Sequence, residues 1–270
     1  MTEPPPPNTI YQFSVLSALM AGISSAGSSI PASRLTAYSQ GIGTFAGMDG
    51  ELVLLDHEVY QLRADGTVRL AGPDEPIPFA TVTRLEPTVR FPVPAGGFAS
   101  KEALHEALAA RLPGTANVFV AYRIRGAHFA RLTLRAIHAQ RHPHQSLADL
   151  GRDQAVFSRR GLDGDLVGFR SPRNWQGIGV AGDHMHFLSH DRAVGGHVLD
   201  MVVQGPGEPF ASPVAAEAAE TEAGAGSGPP RPVEVECAVV KDIHIELPLS
   251  SEFNDAALGV DDEGIRRVEG

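Results

Sequence analysis

Cysteine is almost absent: Cys237 is the single one in 270 residues. One thiol excludes an intramolecular disulfide framework and every cysteine-rich zinc module. Any metal must therefore sit on histidines and carboxylates. Positive charge is also scarce, with 22 Lys and Arg against 32 Asp and Glu, a net of −10. That balance argues against a nucleic-acid binder, which needs a basic face to displace counterions. Long apolar runs are missing as well: the best, Val15 to Ile23, falls far short of the roughly 20 residues that span a bilayer. The amino terminus carries no basic segment, and Pro4 to Pro7 break any apolar stretch there. The chain reads as soluble and cytoplasmic, with no membrane or nucleic-acid partner and a flexible lead over residues 1–8.

Hydrophobic residues make up 43% and charged residues 20%, a globular balance. Ile10 to Ile23 carries Phe13, Leu16, Leu19, Met20 and Ile23 at helical spacing and reads as one helix. Glu51–Asp56, Glu58–Arg63 and Thr67–Leu70, with a turn at Asp65-Gly66, form a meander pattern. Thr88–Val93 and Asn117–Ile124 read as strands around a helix from about Ser100 to Leu112, stopped by Pro113-Gly114. Phe129–Ile137, Ala155–Ser158, Leu166–Arg170, Ile178–Ala181, His184–Ser189, His197–Val203 and Val233–Val240 read as further strands, and Ser251–Leu258 as a short helix. Residues 206–233 shift to Ala, Glu, Gly, Ser and Pro, which cannot bury enough apolar surface to offset ordering, and read as a disordered insertion. No repeat of 20–50 residues is visible. From pattern alone the chain is β-rich, in two layers, with few helices.

Eleven histidines supply candidate ligands. His142-Pro143-His144 sits beside Arg141, and its proline favours a loop, so it reads poorly as a cation site. His184-Met185-His186 differs: on a strand, Met185 and Phe187 share one face and the two histidines the other. The polar segment Ser189 to Ala193 then turns the chain toward Gly195-Gly196-His197. A hairpin centred near Asp191-Arg192 sets His197 opposite His186, where Cβ atoms lie roughly 4.5–5.5 Å apart. Three imidazoles then converge on one face, and three protein ligands with an open position suit a catalytic zinc. His190 falls at the turn and reads as exposed. Cupin-type oxygenases and isomerases also use histidines on β-structure, but their pattern places a Glu soon after the His-x-His pair, and none lies between His186 and His197.

Several blocks in order resemble the bacterial acetolactate decarboxylases. They are Ile10-Tyr11-Gln12-Phe13-Ser14, Ser17 to Gly22, Gly41-Ile42-Gly43-Thr44-Phe45, Met48-Asp49-Gly50-Glu51-Leu52, and Tyr60-Gln61 with Ala64-Asp65-Gly66. Arg123-Ile124-Arg125-Gly126, Leu134-Arg135, Gly177 to Gly182, His184-Met185-His186-Phe187 and Gly195-Gly196-His197-Val198-Leu199-Asp200 continue the series. The resemblance implies an α+β fold with two β-rich halves, 9–145 and 146–270, a mixed sheet in the first and a smaller sheet in the second. It also implies a homodimer and a site drawing on both halves.

The same resemblance implies Zn²⁺ on His184, His186 and His197, with Arg135, Glu51 and Thr44 as active-site residues. A further glutamate from the carboxy-terminal tail matches Glu269, with Glu246 as the second candidate. The implied reaction takes 2-acetolactate to acetoin and CO₂. Read without the family, Arg135 is an ordinary surface strand residue and Glu51 an exposed glutamate at a turn. Two departures stand out: Asp183 occupies a place the family fills with a bulky aromatic, and Ser24 to Ser39 is rich in Ser and Gly. Asp183 could orient an imidazole from behind. The alternatives are a cupin-like metal enzyme and a non-catalytic binder of small hydroxy acids.

Overall fold

Short apolar runs punctuated by Gly, Asp and Pro fold into strands almost throughout. A computed structural model describes residues 5–206 and 233–269, so all but the ends of the 206–233 insertion, and the first half of the lead, lie outside the described residues. Where the lead is described, Asn8 donates its backbone N–H to the Arg84 carbonyl at 2.9 Å.

The amino-terminal part holds β1 (Thr9–Phe13), α1 (Leu16–Met20), β2 (Ile30–Pro31), β3 (Gln40–Thr44), β4 (Glu51–Leu55), β5 (Glu58–Leu62), β6 (Val68–Leu70), β7 (Pro76–Ile77), β8 (Phe79–Thr83) and β9 (Val89–Pro92). Then follow α2 (Lys101–Arg111), β10 (Phe119–Ala136), α3 (Leu147–Leu150), β11 (Ala155–Arg159), β12 (Leu162–Ser171), β13 (Gly182–Ser189) and β14 (Gly195–Val203). After the insertion come β15 (Glu234–Val240), β16 (Asp242–Glu246), α4 (Ser251–Asn254) and α5 (Asp262–Glu269).

The first sheet runs β16-β1-β8-β3-β4-β5-β6, and is mixed because β1 and β16 are parallel. The second runs β12-β13-β14-β10-β15-β9 with β11 beside β10, and is also seven-stranded. Chain halves exchange strands: β16 joins the first sheet, while β9 and β10 help build the second. β10 is long enough to serve two neighbourhoods, pairing β12 and β15 through its first half and β14 and β11 through its second. Ile10, Ile42, Val53 and Leu62 of the first sheet pack against Ala121, Val167, Phe169 and Leu188 of the second, so the sheets share one core. Arg123, buried on β10, clamps the layers together by a bidentate pair to Asp56, at 2.9 and 3.0 Å.

α2 forms where Ser100 caps the Ala103 N–H and Leu104 and Leu108 fall four residues apart on the buried side. Ile10 to Ile23 is not one helix. β1 occupies its first part, the chain turns at Ser14 with φ of 65°, and only Leu16–Met20 is helical. Because Ile10 to Phe13 is buried on both faces, the strand shows no alternation and its apolar spacing mimics a helix. The two strands read at 117–124 and 129–137 are one strand, with a register shift between Ile124 and Ala127 around Gly126, at φ of 60°. Ile178–Ala181 is a loop rather than a strand. Its carbonyls turn instead to α1, Ile178 O accepting from Leu16 N and Gly177 O from Ser17 N. Among the described residues, no helix is long and apolar enough to cross a membrane.

Candidate metal centre and active site

β13 and β14 pair with His186 directly opposite His197, the register the hairpin spacing requires. Alternation puts Met185 and Phe187 into the core beneath α2 and turns His184 and His186 toward the first sheet. The three ring centroids lie 5.1, 4.9 and 5.4 Å apart, and one ligand nitrogen from each falls within 4.8 Å of the others. No other cluster among the described residues meets the same condition, so His142 and His144 stand apart.

A one-residue irregularity delivers the third histidine. Thr133 pairs with Asp200, but the next residue, Leu134, pairs with Val198, so Leu199 is the extra residue of a bulge. Past it, Arg135 lies across from His197; the unshifted register would have faced Arg135 with Val198. Since a one-residue slip reverses every side chain, the bulge is what puts Arg135 and His197 on one face.

β4 approaches from the first sheet. His186 donates from Nδ1 to the Leu52 carbonyl at 2.8 Å, which fixes the tautomer and directs the Nε2 lone pair to the cluster. One residue before Leu52, Glu51 accepts from Arg135 Nη1 at 2.6 Å, and its Oε2 lies 3.7 Å from His186 Nε2. Both charged groups are buried, Arg135 at 2% and Glu51 at 4% exposure, and neither is the surface residue its local sequence suggests. Glu51 reaches this position through Gly50, whose φ of 79° and approach to the Leu62 carbonyl leave no room for a Cβ. Thr44 pairs with Glu51 across β3 and β4, and donates its hydroxyl to the Gly50 carbonyl at 2.7 Å, bracing the same turn.

Burial, and then the Arg135 and Lys101 charges, push the His184 imidazole down to about 3 and hold His197 well below its ordinary value. Both rings are therefore neutral at pH 7, the state in which imidazole binds a metal. Three imidazole nitrogens with no thiolate among them suit a borderline divalent cation such as zinc, and the set fits such an ion. Lys101, at the start of α2, carried no signal in the sequence; only the fold brings its field to two of the histidines.

Asp183 lies on the other face of β13 from the histidine pair. It meets His105 Nδ1 of α2, and Arg170 Nε at 3.3 Å, so the imidazole it engages is not one of the three. His190 is exposed at the turn. Glu246 is not brought to the cluster either: it accepts both Arg34 Nη atoms, at 2.8 and 2.7 Å, and the Tyr11 hydroxyl at 2.8 Å. The side chain of Glu269 is outside the described residues, but Val268 beside it is fully buried in one cluster with Leu16, Leu19 and Leu147.

The chain matches the family described as alpha-acetolactate decarboxylase over residues 10–209. It is 42% identical to the alpha-acetolactate decarboxylase of Raoultella terrigena over 197 residues, covering 72% of this chain and 73% of that protein. It is 32% identical to the Bacillus subtilis (strain 168) protein of the same name over 200 residues, 74% of this chain and 76% of the relative. The crystal structure of alpha-acetolactate decarboxylase from Bacillus subtilis superimposes with a TM-score of 0.81 at 28% identity, covering 97% of this chain and 99% of the other. The order of sequence blocks, the two-sheet fold and these likenesses agree: the chain belongs to the alpha-acetolactate decarboxylase family.

Proposed function

We propose that the protein is a zinc-dependent enzyme that decarboxylates 2-acetolactate to acetoin and CO₂, acting as a homodimer in the cytoplasm. The observation that carries this reading is the convergence of His184, His186 and His197 within 4.8 Å beside the buried Arg135–Glu51 pair. The two halves, 9–145 and 146–270, act as one unit, because His186 of the second is held by Leu52 of the first and β16 completes the first sheet.

A β-keto acid loses CO₂ when its carbonyl can take up the electron pair of the breaking C–C bond. His184, His186 and His197 would hold a zinc ion whose positive charge stabilises that developing oxyanion. Arg135 carries five N–H donors in a planar fork, enough to hold Glu51 and a substrate carboxylate together. Its fixed position sets which face of the substrate is presented. Glu51, a carboxylate in its pair with Arg135, would relay to carbon, from one side, a proton taken up from water after CO₂ has left, which makes the product chiral. Thr44 keeps the Gly50–Glu51 turn in place through its bond to Gly50 O. Glu269, at the end of α5, is the alternative to Glu51 for that single proton transfer; Val268 beside it packs on residues of the cavity wall.

The test couples metal content to turnover. His186→Ala and His197→Ala should each lose bound zinc and acetoin formation from racemic acetolactate together. A variant that is zinc-free and fully active would overturn the proposal.

A further inference from the structure

The cavity that meets His184 beside Glu51 and Arg135 is lined by two chemically different sets of residues, read as its two ends. One is polar, made by Thr44, Glu51, Arg135 and His184. The other is wholly apolar: Leu16 and Leu19 from α1, Phe79 from β8, Ile137 just past β10, and Leu147 from α3. These five side chains belong to one buried cluster, backed from behind by Ile265 and Val268 of α5. The wall cannot retreat, because the residues behind it are themselves packed. Space between the two ends is small: about 20 Å³ is open to the centre of a water-sized sphere, little more than the roughly 10–15 Å³ that one water needs.

This inference rests on the reaction proposed above. A 2-hydroxy-3-keto acid has a carboxylate, a hydroxyl and a carbonyl for the polar end, and only its alkyl substituents suit the apolar one. Turning an alkyl group toward Arg135 and Glu51 would desolvate a buried ion pair without replacing its partners. The geometry points to Leu16 and Leu147 as the size filter for an alkyl substituent of the substrate. They stand on two different helices, α1 and α3, and both line the cavity, so a methyl group fits and each added methylene meets a wall. An apolar pocket of this kind discriminates about 10–200-fold per methylene.

The experiment compares kcat/KM for CO₂ release by the zinc-loaded enzyme from acetolactate and from its homologues with ethyl or propyl in place of the 2-methyl group. The native enzyme should favour methyl over ethyl by about tenfold or more. Leu147→Ala and Leu16→Ala should each raise the ethyl-to-methyl ratio by about tenfold. Leu150→Ala is the control: Leu150 lies in the same helix and cluster but does not line the cavity. It should cost stability and leave the ratio alone. If Leu147→Ala fails to fold, Leu147→Val should still raise the ratio by a smaller factor. An unchanged ratio in the Leu16 and Leu147 variants, or an equal shift in Leu150→Ala, overturns the filter while leaving the reaction standing. A native enzyme that releases CO₂ from none of the three acids, acetolactate included, overturns the reaction, and the filter with it.

Discussion

Glu51→Gln separates the two jobs of that side chain. The carboxylate lies 2.6 Å from Arg135 Nη1, and both partners are almost fully buried. The substitution keeps the shape and removes the charge, leaving a guanidinium 2% exposed with a neutral amide beside it. Breaking a buried pair from one side costs about 3–5 kcal/mol, because the remaining charge stays desolvated. A Gln oxygen still accepts a hydrogen bond, which places the expectation at the low end, about 3 kcal/mol. At about 2–4 °C per kcal/mol for a chain of this size, Tm should fall by roughly 6–12 °C. The measurement is urea and thermal unfolding of metal-free protein with chelator present in every sample. A double variant, Glu51→Gln with Arg135→Met, should recover part of the loss, since removing both charges removes the uncompensated one. Zinc content of Glu51→Gln should stay near one per chain while acetoin formation collapses. A stability loss below about 1 kcal/mol, or a double variant no better than the sum of its singles, would refute the buried-pair argument.

Gly47 and Gly50 both have positive φ, 70° and 79°, but only Gly50 lacks room for a Cβ. Gly47→Ala should cost about 1–2 kcal/mol of backbone strain, and Gly50→Ala about 1–3 kcal/mol more from overpacking against Leu62 O, read from urea midpoints. Glu246 is held below its ordinary 4.5 by the Arg34 hydrogen bonds first, with the Tyr11 hydroxyl adding to them. A carboxyl depressed in the folded state stabilises fully above the unfolded value, and that contribution is lost as pH falls through the folded one. Because the pair is more than a third exposed on the Arg34 side, Glu246→Gln should cost only about 0.5–1 kcal/mol at pH 7. The difference from the native protein should shrink as pH falls below 4.5 and vanish below the depressed folded value; a difference that stays constant down to acid unfolding would contradict the assignment. Glu269→Gln should retain zinc and slow acetoin formation; a silent substitution removes Glu269 from the site.

What could be read in the sequence was what depends on short-range spacing. The alternation of His184 and His186 with Met185 and Phe187, and the turn after Ser189, were enough to pair His186 with His197. α2 was legible from its Ser100 cap and leucine spacing. β3 was not, because Gln40-Gly41-Ile42-Gly43-Thr44 has the composition of a loop. It is a strand because β8 presses so close that a Cβ on Gly43 would meet the Phe79 carbonyl at 2.3 Å. Arg135 and Glu51 needed the family resemblance, since nothing local shows that a bulge at Leu199 and a left-handed Gly50 bury them against each other. The apolar wall of the cavity was beyond reach for a similar reason. Leu16 and Leu147 are separated by β2 through β10 and meet only after both sheets have closed.

The charge balance takes on a sharper meaning once the pair is seen. A protein of net charge −10 that takes an anionic substrate needs a local excess of positive charge. Arg135 looks like the source, but Glu51 neutralises it at contact distance, so the pair adds direction without adding net charge. Of the described groups, Lys101 is the other cation whose field reaches His184 and His197. On the proposed reading, the ion on the three neutral imidazoles then supplies most of the attraction, and it does so inside a cavity walled by leucines where screening is weak. Neutral ligands matter for the same reason: a thiolate or carboxylate set would cancel the charge that draws the substrate in. On that reading the scarcity of cysteine and the burial of the histidines serve one end, a cation that would keep its full charge within an acidic protein.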